Sequence, residues 1–157
     1  MSTMDEVVDG WLKHRLVVHD LLALVDDKDV DFKPWEGAKS LGELAVHIAT
    51  SMDMFVKTVL NGEFTMPQKE DDYQTIGDVR EIVHKYTTAT TRDLKSLSKS
   101  QLTEEVEFNK DVAPGSFWLS NAIDHEIHHK GQLFTYVRMI GVEEVPFFMK
   151  HPSELKK

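Results

Sequence analysis

The sequence predicts an all-α fold, a four-helix bundle with long connecting loops. Three observations carry that prediction: four long segments have apolar residues at helical spacing, no run alternates convincingly with period two, and 157 residues suit one domain with its own core. Residues 1–157 contain no internal repeat, low-complexity tract or interdomain linker, so they are read as a single domain.

The first helix is expected from about Asp5 to Val25, where Val7, Trp11, His14, Val18, Leu21 and Val25 recur at steps of three and four. Pro34 and Gly37 then interrupt any helix between Asp26 and Lys39. Ser40 followed by Glu43 has the spacing of a capping box, and Leu41, Ala45, Ile48, Met52, Phe55 and Val59 carry the second helix to about Leu60. Asn61-Gly62 stops it, and the polar, acidic residues 63–74 form a loop. A third helix runs from about Thr75 to Leu97 on Ile76, Val79, Val83, Tyr86, Leu94 and Leu97. Between Ser98 and Gly115 a short apolar alternation around Val106 and Phe108 is a weak hairpin signal. The fourth helix starts near Ser116 and ends before Gly141, leaving a tail from Val142. Each connection has about a dozen residues or more, and at about 3.3 Å per extended residue such a loop reaches along a whole helix. Loop length therefore leaves the order of the helices around the bundle open.

Eighteen Lys and Arg stand against 27 Asp and Glu, a net charge of −9 that repels a phosphate backbone and an anionic lipid surface. The expected partner is a small-molecule substrate, not nucleic acid or membrane. With no cysteine there is no disulfide, thiolate ligand or cysteine nucleophile, and this together with an acidic N-terminus lacking a long apolar run fits a cytoplasmic protein. On the fourth helix Leu119, Ile123, Ile127, Phe134 and Val137 widen the apolar arc to about half the circumference, beyond the stripe of roughly 100° that a bundle helix needs. The excess faces either a second copy of the chain, giving a homodimer, or the 98–115 segment and the tail with Phe147-Phe148.

The chemistry is concentrated in Trp118–Leu133. At about 100° per residue, Trp118, Ala122, His125, His129, Leu133, Tyr136 and Ile140 form one stripe, so two imidazoles one turn apart interrupt an apolar line. Two buried imidazoles need partners, and a divalent ion held through neutral nitrogens at i, i+4 spacing would supply one; a hydrogen-bonded core pair or a half-exposed face is the alternative. His128 falls on the polar side with Asp124 and Arg138. Glu126 lies within the apolar arc, where it orients a ligand, accepts a proton or forms a salt bridge at the bundle edge. His125-Glu126-Ile127-His128-His129 also matches the H-E-x-x-H signature of zinc peptidases. A strand to align a peptide is missing, and no further histidine follows until His151, so that reading is disfavoured.

Taken together, Phe32-Lys33-Pro34, the second-helix start Ser40–Ala49 with His47, the His125–Leu133 segment and the ending Arg138–Gly141 make the chain resemble the DinB-like (DinB/YfiT) family of four-helix metalloenzymes. That resemblance implies a metal triad of His47, His125 and His129. Periodicity alone does not select His47, which sits about 120° from the centre of its helix's apolar stripe. Three imidazoles would leave an open site for Zn, Ni, Fe, Mn or Cu. By the same resemblance the activity would be thiol S-transfer, with a low-molecular-weight thiol as cosubstrate, or hydrolysis of a small substrate. A non-catalytic metal- or ligand-binding stress protein of this fold is the alternative. His14 is a candidate to support the site or a satisfied core histidine, and Arg15 a candidate to meet a substrate carboxylate.

Overall fold

Capping chemistry sets where the long helices begin. In the computed structural model, which describes residues 3–67 and 72–155, α1 spans Thr3–Leu22, α2 Leu41–Asn61, α3 Ile76–Ser96, α4 Lys99–Thr103, α5 Gly115–Met139 and α6 Pro152–Leu155; β1 (Glu105–Phe108) and β2 (Asp111–Pro114) lie between α4 and α5. At the start of α2 the Glu43 amide donates to the Ser40 hydroxyl over 3.1 Å, and the Ser40 amide donates to the Glu43 carboxylate over 2.8 Å. Thr75 and Asp78 form the same reciprocal pair ahead of α3. Gly62, at φ 73°, closes α2 in the left-handed conformation that glycine adopts without steric cost. The loop expected over 63–74 includes residues 68–71, which lie outside the described residues.

The hairpin signal corresponds to a real two-stranded ribbon. Phe108 pairs with Asp111, and the two residues between them, Asn109 and Lys110, both take positive φ, as a tight hairpin turn requires. The short helix α4 carried no periodic signal because it has one turn; its capping box of Ser98 and Gln101 is the only local cue. Gly115 opens α5 where the chain passes close to α4. A β-carbon there would stand 2.2 Å from the Gln101 carbonyl oxygen and 2.9 Å from a Val59 methyl. Gly115→Ala should therefore destabilise the fold by about 1–3 kcal/mol or more through overpacking, read as a lower midpoint in urea denaturation. Wild-type stability in that variant would mean that α4 yields without cost.

The four long helices touch in the cyclic order α1–α3–α2–α5, so α1 lies diagonally across from α2, and α3 from α5. Segments 23–40 and 97–114 thus cross the ends of the bundle, an arrangement loop length had left open. One apolar cluster gathers Val18, Leu21, Leu44, Ile48, Val83 and Leu133; the second gathers Val8, Trp11, Met52, Val56, Leu94 and Trp118. Leu102, Phe108 and Ala113 of the 98–115 segment pack on the second cluster, while Val142 and Val145 of the tail pack on the first.

Between the clusters lies a polar layer. Arg15 is fully buried and donates from Nε and Nη2 to the two oxygens of Glu126, each over 2.8 Å. The Trp11 indole donates to the same carboxylate over 2.9 Å, and Arg15 Nη1 donates to Thr87 over 3.0 Å. This corrects two expectations. Glu126 forms its ion pair in the buried interior, not at the edge, and Arg15 is sequestered by that pair, away from any substrate. The inward line of α5 also shifts: between Ala122 and Leu133 it runs through Glu126 and Lys130, both buried, while His125 and His129 are only half-buried. A stripe drawn from apolar residues passes over inward positions that hold charges.

Candidate metal centre

The i, i+4 spacing on α5 stacks His125 and His129 on one face with ring centroids 4.4 Å apart. α2 lies against α5 and brings His47 to both, with centroids 5.1 Å from His125 and 4.7 Å from His129. One nitrogen from each of the three rings lies within 4.8 Å of the others. Phe55 walls one side, its ring 6.3 Å from that of His125.

Hydrogen bonds orient two of the rings. His129 Nδ1 donates to the Gln132 side-chain oxygen over 2.7 Å, so Nε2 is the nitrogen left to ligate. The Ser51 hydroxyl faces Nδ1 of His47 at 3.4 Å, which leaves Nε2 free to ligate. Burial holds the His47 imidazole at a pKa of about 4, helped by the charges of His129, Lys39 and His125. Burial likewise lowers His125 to about 4, with His129 and His128 adding to it. Both rings are therefore neutral at pH 7, as metal ligands must be. His125 Nε2 faces His129 Nε2 at 3.1 Å, a convergence of ring nitrogens that a cation between them would satisfy. The donor set fits a borderline-soft divalent ion with open coordination positions.

The other candidates are placed elsewhere. His128 is exposed beside the triad. His14 is a satisfied core histidine, its Nδ1 2.8 Å from the ammonium of Lys130, which also donates to the Phe148 carbonyl. Glu126 points into the bundle, where Trp11 and Arg15 occupy both of its oxygens, so the water-activating role of H-E-x-x-H does not fall to it. Sequence reasoning missed Gln132, whose cue was its spacing of three from His129. It also missed Ser51, four residues after His47.

A helical bundle that converges three imidazoles from two adjacent helices on one point defines a candidate metalloprotein. The chain belongs to the DinB family, which it matches over residues 1–154. It is 33% identical over 154 residues to YjoA of Bacillus subtilis (strain 168), covering 96% of this chain and 99% of that one. The crystal structure of that DinB-like protein superposes with a TM-score of 0.84 at 32% identity, over 93% of this chain and 99% of the other. A DinB-like protein of Bacillus cereus ATCC 10987 follows at TM-score 0.78 and 23% identity, over 91% and 95% of the two chains. YfiT of Bacillus subtilis, described as a probable metal-dependent hydrolase with an unusual four-helix bundle topology, shares the fold at TM-score 0.68 and 14% identity, over 91% of each chain. Among the described residues no helix is long and apolar enough to cross a membrane.

Proposed function

We propose that this protein is a divalent-metal-dependent enzyme acting on a small substrate, with His47, His125 and His129 as the metal ligands. The observation that carries the proposal is the convergence of one nitrogen from each ring within 4.8 Å. When bound, the ion would supply Lewis acidity, lowering the pKa of a water or small thiol and polarising the substrate. The chain's own residues prepare for this: burial keeps His47 and His125 neutral, and Gln132 holds His129 in the tautomer that ligates through Nε2. Hydrolysis gains support from the description of YfiT, and thiol S-transfer from a chain that has no cysteine of its own.

Elemental analysis of the purified protein is expected to give one divalent ion per chain. His47→Ala, His125→Ala and His129→Ala should each lose most of it, while His128→Ala keeps it. Equal occupancy in wild type and His47→Ala would remove the ligand assignment. With the ion in place, turnover of a chromogenic ester without thiol supports hydrolysis. Displacement of chloride from 1-chloro-2,4-dinitrobenzene by a small thiol supports S-transfer. A bound ion with neither activity favours the non-catalytic alternative.

A further inference from the structure

We propose that the cavity beside the three histidines binds substrates that join an apolar or aromatic body to an anionic group, a carboxylate or a phosphate, with Trp35 receiving the body and Lys39 the anion. The inference rests on the metal-centre reading for the direction in which the substrate faces. The cavity encloses about 720 Å³, within the range of sites for small organic ligands, and His129 forms part of its wall.

Its chemistry is selective. Pro34, Trp35 and Met139 give one side an apolar surface, and the Trp35 indole is 67% exposed although it flanks a concavity. An aromatic ring left open in such a place offers a stacking surface to a ligand. Lys39 is the one lining residue with a full charge among the described residues, so a chain with 27 acidic residues places an ammonium and no carboxylate on this wall. Lys39 forms no ion pair among the described residues, although Glu43 lies within reach of its charge. Lys39 and His129 line the same cavity, which places the ammonium near the triad. An anion held at the exposed Lys39 ammonium would therefore sit in the same cavity as His129, held by a charge-assisted hydrogen bond.

The wall is built into the fold. Tyr136 on α5 donates its hydroxyl proton to the Lys39 carbonyl over 3.0 Å, and its ring packs edge-on against Phe32. The Leu41 amide donates to the Phe32 carbonyl over 2.8 Å, which fixes the other end of the segment. Gln132 uses its oxygen on His129, so its amide N–H groups are left to donate to a ligand.

The test uses two fluorescent probes of similar shape on the zinc-loaded full chain. One is the anionic 8-anilinonaphthalene-1-sulfonate, the other the uncharged N-phenyl-1-naphthylamine. Lys39→Gln should weaken the anionic probe by about tenfold and leave the neutral one within about twofold. Trp35→Ala should weaken both by about fivefold. Phe147→Ser, which removes an exposed aromatic ring outside the cavity wall, should change neither. Unchanged anionic affinity in Lys39→Gln, equal loss of both probes in that variant, or loss of binding in Phe147→Ser overturns the inference. The zinc content of each sample is measured in parallel, and the titration is repeated after chelation. Absence of zinc from the wild type counts against the metal centre, while the Lys39 and Trp35 effects still decide the cavity.

Discussion

Truncating Glu126 to alanine should lower the unfolding free energy by about 3–5 kcal/mol, because it strands the Arg15 guanidinium in the bundle interior without a counter-charge. Arg15 and Glu126 are each at most 1% exposed and joined by two hydrogen bonds of 2.8 Å, so neither can turn to water without opening the helices around it. The Trp11 indole would lose its acceptor as well. For a chain of this size the melting temperature should fall by roughly 10 °C. Arg15→Met combined with Glu126→Leu should recover most of the loss, since an apolar pair of similar volume avoids the desolvation that the charges suffer. Urea denaturation of both variants makes the comparison. A Glu126→Ala protein within about 1 kcal/mol of wild type would show that the pair does not organise the interior. Metal content serves as a second readout: it should stay near one ion per chain in folded Glu126→Ala, because the carboxylate is bonded to Trp11 and Arg15 and not to the triad.

Chelation should have a comparably large effect, confined to one side of the histidine titration. With free ion at about a thousand times its dissociation constant, binding to the folded state alone contributes about 4 kcal/mol, so EDTA at about pH 7.5 should lower the melting temperature by roughly 10 °C. Because burial holds His47 and His125 at about 4 in the folded chain, protons displace the ion only as pH falls towards 4, and the chelator should matter much less there than at pH 7.5. The metal-free protein has its own acid sensitivity. Burial holds His14, His47 and His125 at pKa values of about 4, and His19, beside His84 and Arg15, at about 3, against an ordinary 6.5. Below pH 6.5 the unfolded chain takes up protons that the folded chain refuses, so stability is greatest above that pH and declines as pH falls towards 4. Melting curves from pH 8 to 4, with and without EDTA, separate the two effects. A chelator without effect at pH 7.5, in protein shown to contain metal, would place the ion elsewhere.

Much of this architecture is determined by local sequence. Ser40 with Glu43 and Thr75 with Asp78 mark helix starts because a cap needs only residues three apart, and Gly62 marks an end because only its own backbone angle matters. The apolar periods of α1, α2 and α3 show which faces turn inward, since one helix face is one physical surface. The pairing of His125 with His129 follows from the helical repeat alone. What the tertiary structure decided involves groups far apart in the chain. Whether α1 neighbours α2 or stands across from it depends on how four faces pack together, and loops long enough to allow either carry no signal. His47 lies off its own helix's apolar stripe and gains its meaning only where α2 meets α5. Glu126 and Lys130 look like surface residues by type, yet they point inward because Arg15, Trp11 and His14 wait there from α1. A buried charge is tolerated only when its partner arrives with the right geometry, and that partner lies more than a hundred residues away in sequence.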